Sequence, residues 1–492
     1  MNILLVYPMY PDTFWSFKHA LKFISKKAGF PPLGLLTIAS LMPSWCNKKL
    51  IDMNTSGLKD EDILWADYVF ISAMSVQSRS ADEVIRRCNN LNIKVAGGGP
   101  HFTSCFENYN NVDYLILNEA EITLPQFFND LLAGNPKHIY TTEDWADITA
   151  TPLPQWDLIP VNNYSSMNLQ YSRGCPYNCD FCEITVLYGK RPRTKTKDQV
   201  IEELEKLYFT GWRGPVFFVD DNFIGNKAKL KKEILPAIAE WMEKRQNPFF
   251  LNTEASINLA DDEELMHLMV QAGFEVVFIG IESSNEESLA ECNKTQNRNR
   301  DLLLSIKKIQ QSGLEVQGGF IVGFDHDPVS IFENLTEFIQ ESGIVTATVG
   351  LLNAPKGTEL HKRMMKEGRL LKDFTGITTD FSINFIPKMD LDILLKGYKN
   401  ILNTIYSPKY YYARVTSFLK TFNPKKKEIF DIKLIYIKAF IKSIFKLGIA
   451  GKERFYYWKL LFWSLYNKPQ LFSKAILFSI YGFHFRKISA DV

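Results

Sequence analysis

The sequence predicts an α/β protein in which a doubly wound, Rossmann-like parallel sheet is followed by a partial (βα)6 barrel and a helical C-terminal region. Two observations predict this class. Short apolar strands alternate with helix-length stretches in two separate series, and this rhythm stops near residue 388. A chain of 492 residues also exceeds the size at which one hydrophobic core stops growing, so we expect several domains.

Residues 1–136 form the first series. Its predicted strands are Asn2–Pro8, Lys49–Asn54, Tyr68–Met74, Lys94–Gly98 and Tyr114–Asn118. Helical stretches such as Leu33–Leu41 and Ala81–Asn89 lie between them. In a doubly wound parallel sheet, ligands bind outside the carboxyl ends of the strands, so we expect the binding residues of this domain at that edge.

The second series covers residues 164–388 and follows a linker, 137–163, that contains three prolines after residue 150. A helix over Lys197–Tyr208 is preceded by a capping-box pattern, Thr196 with Gln199. Six βα units predict an incomplete barrel whose chemistry lies at the C-terminal ends of the strands. The strands are Asn168–Tyr171, Val216–Val219, Phe249–Thr253, Val276–Gly280, Gln317–Val322 and Thr346–Leu352.

Residues 389–492 differ from the rest of the chain in charge and in aromatic content. From residue 401 onward there are 17 Lys and Arg against four Asp and Glu, and 22 of the 66 aromatic residues. One interpretation is a helical domain that covers the barrel mouth, with aromatics in its core and lysines in solvent. A second is a basic amphipathic surface that docks on anionic lipid. A third is RNA binding, although no nucleic-acid module is recognisable.

The cellular compartment can be predicted from the first residues and from the cysteines. MNILLVYPMYP has no basic segment before a cleavable apolar stretch, and no run of 18 uncharged apolar residues occurs. We therefore expect a cytoplasmic protein that does not span a membrane. Seven cysteines do not suit a disulfide framework, and three of them lie within eight residues, which indicates a metal site.

These three, Cys175, Cys179 and Cys182, form a CxxxCxxC loop directly after a predicted strand. Iron–sulfur clusters are normally held by four cysteine thiolates, so a [4Fe–4S] cluster held by three would leave one iron open to a small molecule. A zinc knuckle is the alternative, but a closed zinc site needs four ligands. The next His and Cys along the chain are the distant His267 and Cys292.

The loop, with the aromatic Phe181 before its last cysteine, resembles the radical S-adenosylmethionine (SAM) superfamily. The resemblance implies that SAM chelates the open iron through its amino and carboxylate groups. Reduction by an external donor such as flavodoxin or ferredoxin would then yield a 5′-deoxyadenosyl radical, which abstracts hydrogen from a substrate.

The same resemblance implies SAM contacts at residues that follow predicted barrel strands. The candidates are Asp220, Asp221 and Asn222 for the SAM ammonium, Glu254 for the ribose hydroxyls, Gly319 and Gly323 of a GxIxG pattern for the adenine, and Glu282 as a further contact. Each residue alone also has a simpler explanation, because strand-end carboxylates often cap helices and glycines often make turns.

The first series resembles the cobalamin-binding domain that precedes the barrel in one class of radical SAM proteins. Cobalamin domains of the methionine synthase type carry DxHxxG, SxL and GG, and the matching residues here are Asp52, Asn54 and Gly57, then Ser72 and Met74, then Gly97 and Gly98. Asn54 stands where that family has its cobalt-ligating histidine. The resemblance therefore implies a cobalamin without that ligand, and His101 is the alternative on the lower face.

Two further observations concern the ligand of this domain. The segment Asn118–Glu121, with sequence NEAE, resembles the GEGE loop of the cobalamin class. A dinucleotide is the alternative ligand for a GG turn after a strand, but no GxGxxG follows the first strand.

Long stretches, including RGCPYNCDFCEITVLYGKRPRTKTKDQV and FVDDNFIGNK, resemble the subgroup that contains the hopanoid methylases and related lipid-modifying enzymes. This resemblance implies a cobalamin-dependent C-methyltransferase that acts on an unactivated carbon of a hydrophobic or lipid-like substrate. Methylcobalamin would donate the methyl group and a second SAM would restore it.

Three alternatives stay open: a non-methylating cyclisation or C–C coupling enzyme, a cobalamin or cluster sensor without turnover, and a tRNA methylthiotransferase. The last is disfavoured because the first domain has no second Cys triad. For partners, we expect peripheral contact with the inner face of the membrane and no nucleic acid.

Overall fold

The fold is described from a computed structural model, which describes residues 1–377, 381–424 and 434–491. The N-terminal domain contains the strands β1 (Asn2–Tyr7), β2 (Asn47–Asp52), β3 (Tyr68–Ser72), β4 (Lys94–Gly98), β5 (Tyr114–Ile116) and β6 (Ile139–Tyr140). They form one parallel sheet in the order β2-β1-β3-β4-β5-β6. From β1 the chain first adds β2 on one side and then β3 to β6 on the other, so the strand order reverses between β1 and β3. Doubly wound sheets bind ligands in the crevice at such a reversal point.

Both faces of this sheet are buried. Leu4 and Val6 of β1 pack into one core, and Ile3 and Leu5 pack into the other. A strand covered on both faces reads as a continuous apolar run, which is why NILLVY does not alternate. The helices of the domain are α1 (Lys18–Leu21), α2 (Leu33–Leu41), α3 (Asp60–Leu64), α4 (Ser78–Asn90), α5 (Pro100–Cys105) and α6 (Ala120–Leu132).

The sheet extends into the segment that the sequence predicts as a linker. β6 pairs with β5, with Tyr140 opposite Ile116. Further along, the Tyr164 hydroxyl donates to the Asp52 carboxylate at 2.9 Å. The segment between the domains is therefore held against the first domain at both of its ends.

The second domain has a parallel sheet of six strands: β7 (Met167–Leu169), β10 (Gly214–Phe218), β11 (Phe249–Glu254), β12 (Phe274–Glu282), β13 (Glu315–Val322) and β14 (Ala347–Leu351). They lie in sequence order, with β7 and β14 as the two edges, so the barrel is open as predicted. An antiparallel hairpin that was not predicted, β8 (Ser172–Arg173) with β9 (Arg193–Thr194), follows β7.

The helices of this domain are α7 (Ile184–Tyr188), α8 (Lys197–Phe209), α9 (Lys227–Lys229), α10 (Leu235–Lys244), α11 (Glu263–Gln271), α12 (Glu286–Glu291), α13 (Leu302–Gln311), α14 (Ile331–Ser342) and α15 (Glu359–Lys366). The predicted capping box of α8 is confirmed. The backbone N–H of Gln199 donates to the Thr196 hydroxyl at 3.3 Å, and the backbone N–H of Thr196 donates to the Gln199 side chain at 3.0 Å.

The C-terminal region is helical. It contains α16 (Leu391–Ile405), α17 (Pro408–Thr421), α18 (Leu434–Ser443), a π-helical turn (Ile444–Ile449), α19 (Arg454–Asn467) and α20 (Phe472–Asp491). The Tyr398 hydroxyl of α16 donates to the Val349 carbonyl at 3.2 Å, so α16 covers the edge strand β14. Nε2 of His484 on α20 lies 3.0 Å from the Phe14 carbonyl oxygen. None of the helices in the described residues is both long enough and apolar enough to cross a membrane.

A buried ion network joins the first two domains. Arg173 of β8 and Arg193 of β9 lie opposite each other in the hairpin. Glu119, which follows β5, accepts hydrogen bonds from both guanidinium groups at 2.8–2.9 Å, and its side chain is only 2% exposed. Glu121 also bonds Arg173, at 2.7 Å. Two arginines side by side repel each other, so the hairpin depends on the carboxylates that the first domain supplies.

Removing this charge should destabilise the protein strongly. We expect Glu119→Gln to lower the free energy of unfolding by about 3–5 kcal/mol, because it leaves two buried guanidinium groups short of a partner. The measurement is urea unfolding followed by tryptophan fluorescence. Glu286→Gln, which removes an exposed ion pair with Arg298, is the control and should cost less than about 1 kcal/mol. Equal losses in both variants would contradict the structural role of the network.

Candidate functional site

The three cysteines of the CxxxCxxC loop are brought together between β8 and α7, and all three are partly exposed. The backbone N–H of Cys175 donates to the Gly189 carbonyl at 3.3 Å, and that of Asp180 donates to the Cys292 carbonyl at 3.0 Å. Gly174, just before the loop, has a φ of +89°, and a Cβ there would lie 3.0 Å from three carbonyl oxygens. The loop is therefore fixed at its start by a residue that must be glycine.

Amide groups and one ammonium group face the sulfur atoms. The side-chain nitrogen of Asn222 lies 3.9 Å from the Cys175 sulfur, and that of Gln296 lies 3.7 Å from the Cys179 sulfur. The Lys294 ammonium lies 5.9 Å from the centre of the Phe181 ring. Donors and a cation around the sulfurs suit a negatively charged cluster, since hydrogen bonds to its ligands set its reduction potential.

Burial raises the pKa of all three thiols, and that of Cys182 reaches about 12. Buried thiols of this kind ionise readily only when a cation replaces the proton, which a cluster iron does. In the part of the chain that the structure describes, no three His, Cys, Asp or Glu side chains converge closely enough to hold a single metal ion. The thiolates of a cluster bind separate irons and need no such convergence.

The acidic residues after β10 have different surroundings. Asp220 is buried, and its carboxylate accepts hydrogen bonds from the backbone of Tyr171, at 3.1 Å, and from the backbone and hydroxyl of Ser172. Burial raises its pKa to about 7. Asp221 accepts from the Gly174 N–H at 3.0 Å. In the structure both carboxylates hold the backbone that leads into the cysteine loop, whereas the predicted role was contact with the SAM ammonium.

Glu254, at the end of β11, has no such partner among the residues that the structure describes. Burial, followed by the carboxylates of Asp221 and Asp220, raises its pKa to about 8. The residue is partly buried rather than fully enclosed. A carboxyl group can accept hydrogen bonds and, when protonated, donate one; the role of Glu254 beside the ribose hydroxyls stays a prediction.

Glu282 ends β12 in the left-handed region, at φ +63°. Its carboxylate lies 2.6 Å from the Lys294 ammonium, and both side chains are largely buried. A Cβ on Gly280 would overlap this ion pair, so the glycine leaves room for it. Strained backbone held by its surroundings is common at functional sites, and here it places an ion pair beside the cysteine loop.

The glycines of the GxIxG pattern make room for side chains. A Cβ on Gly319 would lie 2.8 Å from the ring of Phe278, and one on Gly323 would lie 3.2 Å from Leu394. Gly323 has a φ of +106°, and its N–H donates to the Asp327 carboxylate at 2.8 Å. We expected adenine to approach these glycines, whereas in the structure side chains of the protein itself lie against them.

In the N-terminal domain, Asp52 and Asn54 bond to each other. The Asn54 amide donates to the Asp52 carboxylate at 2.7 Å and to the Pro8 carbonyl at 3.2 Å, and it accepts from the Tyr10 N–H at 2.8 Å. The amide is fully used in joining β2 to the segment after β1. Asn54 is thus a structural residue at the position where the related domains carry a histidine.

The remaining predicted cobalamin contacts lie around the same carboxyl edge. Met74 is 38% exposed there, and its N–H donates to the Gln77 side chain at 3.0 Å. A Cβ on Gly97 or Gly98 would come within 3 Å of Phe102 or of the Ile116 carbonyl, and one on Gly99 would lie 2.7 Å from the Ser72 hydroxyl. Gly57 has no neighbour within 4 Å of a Cβ, so its surroundings do not require glycine.

His101 was predicted as an alternative cobalt ligand, and the structure places it in the interior. Its Nε2 lies 2.6 Å from the Tyr109 hydroxyl, which in turn donates to Asp82 at 3.1 Å. Its Nδ1 is buried and has no hydrogen-bond partner among the described residues. Burial also lowers the pKa of His101. In this arrangement Nε2 is engaged by Tyr109 and Nδ1 is enclosed, and ligation of cobalt by His101 stays a prediction.

The carboxyl edges of the two sheets face each other. Segments of the two domains meet here. Lys356, which follows β14, bonds Glu107 of the turn after α5 at 2.8 Å, and a Cβ on Gly376, beyond α15, would lie 2.8 Å from the nitrogen of Val76, which follows β3. Trp15, from the segment after β1, reaches Phe278 of β12, with ring centres 5.1 Å apart. Segments on the carboxyl side of the first sheet therefore lie against the second domain.

Sequence reasoning missed Lys294, Gln296 and Trp15. Lys294 and Gln296 lie more than 110 residues after the cysteine loop, in a polar segment without a recognisable pattern. Trp15 follows a strand of a different domain. Only the fold brings these residues to the site.

Comparisons with known proteins agree with this arrangement. A family model described as the radical SAM superfamily matches residues 169–339, and one described as a domain of unknown function (DUF4070) matches residues 358–492. An uncharacterised methyltransferase of Synechocystis is 40% identical over 99% of this chain and 91% of its own. The hopanoid C-2 methylase of Rhodopseudomonas palustris is 33% identical over 93% of this chain and 88% of its own.

Solved structures with the same fold have lower sequence identity. The cobalamin-dependent SAM radical enzyme OxsB, with aqua-cobalamin bound, has a TM-score of 0.62 at 15% identity and covers 95% of this chain and 74% of its own. The radical SAM methyltransferase TsrM from Kitasatospora setae has a TM-score of 0.57 at 14% identity and covers 74% of this chain and 76% of its own. The predicted fold class is confirmed.

The raised pKa of Glu254 has a consequence for stability. A carboxyl group whose pKa is higher in the folded than in the unfolded chain contributes stability at low pH and loses it as the pH rises through the folded value, here about 8. For the protein without cluster or SAM, we expect the thermal midpoint to fall less between pH 6 and pH 9 in Glu254→Gln than in the wild type. Glu263→Gln, at an exposed position, is the control and should follow the wild type. Parallel pH profiles for all three proteins would contradict the prediction.

Proposed function

Because this chain belongs to the radical SAM superfamily, in the branch that contains the hopanoid C-2 methylase, we propose that it is a cobalamin-dependent C-methyltransferase. We propose as its substrate a hydrophobic, lipid-like molecule that is methylated at an unactivated carbon. The observation that carries the proposal is the pair of facing carboxyl edges, one with the cysteine loop and one with the cobalamin-like motifs.

In this proposal the cysteine loop holds the cluster. Cys175, Cys179 and Cys182 would be its ligands, with Lys294 and the two side-chain amides offsetting the negative charge of the sulfurs. When bound, the cluster and SAM supply the radical that removes a hydrogen atom from the substrate, and cobalamin supplies the methyl group. Glu254 would accept hydrogen bonds from ligand hydroxyls. Partial burial of the loop limits the access of water.

The cobalamin site is assigned to the carboxyl edge of the first sheet, around Ser72, Met74 and Gly98. Since Asn54 is committed to Asp52 and His101 is buried, this edge offers no imidazole among the residues that match the cobalamin motifs. We propose that the domain holds cobalamin without a histidine ligand, through the shape and hydrogen bonds of the edge. The expected signature is a visible absorption spectrum typical of cobalamin without a protein imidazole.

The name of the hopanoid C-2 methylase supports the substrate class, because that relative covers 93% of this chain. We place the protein in the cytoplasm, with flavodoxin or ferredoxin as the electron donor and with access to the inner face of the membrane.

The cluster assignment is tested by replacing its ligands. We expect the triple variant Cys175→Ala, Cys179→Ala and Cys182→Ala to lose the 5′-deoxyadenosine that the reconstituted wild type forms from SAM and dithionite, down to the cluster-free background. Cys292→Ala is the control, because its backbone touches the loop while its thiol is no proposed ligand. It should keep both the iron content and SAM cleavage. Undiminished cleavage in the triple variant would overturn the assignment.

The reaction class is tested by product mass. Lipid extracts of cells with the gene should contain a species heavier by one methylene than the corresponding lipid of cells without it. An unchanged or hydrogen-poor product would instead indicate cyclisation or coupling. SAM cleavage without any altered product, in cells or with extracted lipids, would contradict a lipid substrate while leaving the radical chemistry intact.

A further inference from the structure

The C-terminal region leaves a row of apolar side chains in solvent. α18 and the π-helical turn that continues it expose an apolar residue at every fourth position: Ile437, Ile441, Phe445 and Ile449. Residues four apart lie on the same side of a helix, so these four form a stripe. Single exposed apolar residues are ordinary on a protein surface, but a continuous stripe indicates a surface that binds something.

α19 carries a second stripe that joins the first. Its members, Phe455, Phe462, Leu465 and Tyr466, are 55–94% exposed. The stripes meet at Trp458, whose indole N–H donates to the Gly448 carbonyl at 3.0 Å and whose ring stacks on Phe462 with centres 5.6 Å apart. An open cavity of about 480 Å³ lies at this junction, between aromatic rings and the basic residues Arg454 and Lys459. We call residues 435–467 the basic aromatic face.

The charge of this face has one sign. Its exposed basic residues are Lys438, Lys442, Lys446, Lys452, Arg454 and Lys459. Two of them turn to the rest of the protein: the Lys442 ammonium donates to the Lys22 carbonyl at 2.9 Å, and the Lys446 ammonium lies 4.8 Å from the centre of the Phe483 ring. Glu453 is the sole acidic residue between 435 and 467. It is buried and paired with Arg486 at 2.6 Å, so no carboxylate within the face offsets the exposed basic residues.

We propose that the basic aromatic face docks the protein on an anionic lipid bilayer. Exposed isoleucine and aromatic side chains would enter the boundary between headgroups and acyl chains, where amphipathic helices bind. Lys438, Lys452, Arg454 and Lys459 would meet the lipid phosphates, since anionic leaflets attract such basic residues. The cavity beside Trp458 has apolar walls and a basic rim. The walls suit the acyl chain of a phospholipid, and the rim suits its phosphate.

Two other occupants fit the face less well. In a symmetric dimer through this face, Lys438, Lys452, Arg454 and Lys459 would oppose the same four residues of the second copy, and like charges across an interface are strongly unfavourable. RNA would complement the charge and could stack on the aromatic rings. It would leave Ile437, Ile441 and Ile449 without a partner, because aliphatic side chains do not stack on bases, whereas acyl chains cover them.

Docking takes place without cluster, SAM or cobalamin, so the inference goes beyond the proposed function and can fail separately from it. The test is co-sedimentation of the full chain with vesicles of neutral phosphatidylcholine, alone or with about one third anionic phosphatidylglycerol. We expect binding to the anionic vesicles only, and weaker binding at about 0.5 M salt, where charges are screened over a few ångströms.

Matched variants locate the surface. Phe455→Ser with Phe462→Ser, and separately Lys452→Glu with Lys459→Glu, should each weaken binding to anionic vesicles by at least about tenfold. Phe209→Ser, at a phenylalanine of α8 that is 71% exposed, and Lys307→Glu on α13 are the controls and should bind like the wild type. Circular dichroism and 5′-deoxyadenosine formation should stay at the wild-type level in all four, which shows that each variant is folded.

Three results would overturn the inference. The wild type could stay in the supernatant with anionic vesicles, or the variants of the face could bind as well as the controls do. In the third case the wild type is dimeric in light scattering or binds RNA in a gel-shift experiment. The variants of the face abolish that property, the controls keep it, and vesicle binding is unaffected. That pattern would assign the face to a second copy or to RNA.

Discussion

The site depends on a short hairpin that can close only if the repulsion between two positive charges is offset. β8 and β9 bring Arg173 and Arg193 side by side, and the chain between them contains all three cysteines of the loop. Water cannot screen the two guanidinium groups, because their side chains are only 12% and 17% exposed. Glu119 and Glu121, from the other domain, neutralise them. The first domain thus shapes the cysteine loop without contributing a ligand to it, and the two carboxyl edges are fixed opposite each other.

Most of the fold could be predicted from the sequence, because long apolar runs and strand–helix alternation are local patterns. The five strands predicted for the first domain lie within two residues of those observed at each end. Membership of the radical SAM superfamily is likewise confirmed, since the CxxxCxxC loop is local too. β6, β8 and β9 were missed, because two-residue strands have no periodicity. The orientation of side chains is the other gap: nothing local indicates that His101 turns inward or that Lys294 reaches the cysteine loop, because both depend on packing between distant segments.

Without ligands, the site contains several groups that destabilise the folded chain. It gathers thiols whose pKa burial raises, a Glu254 carboxyl group without a hydrogen-bonding partner among the described residues, and left-handed backbone at Glu282. Each is unfavourable in a chain without ligands; iron would stabilise the ionised thiols, and hydroxyl groups would give the carboxyl group partners. Such concentrations of unfavourable groups are expected where a protein is built to receive cofactors, since the binding free energy compensates for them.

The contact between α20 and the segment after β1 joins residues that are far apart in the chain. His484 and Phe14 are 470 residues apart in sequence, and Phe14 directly precedes the tryptophan that reaches into the barrel. A ribosome that adds about 5–20 residues per second needs roughly half a minute to a minute and a half to make the chain between them. During that time the first domain can form its sheet, yet Trp15 lacks the support that α20 gives to its neighbour. The newly made protein therefore passes through a stage in which the segment after β1 has not yet gained its contact with the last helix.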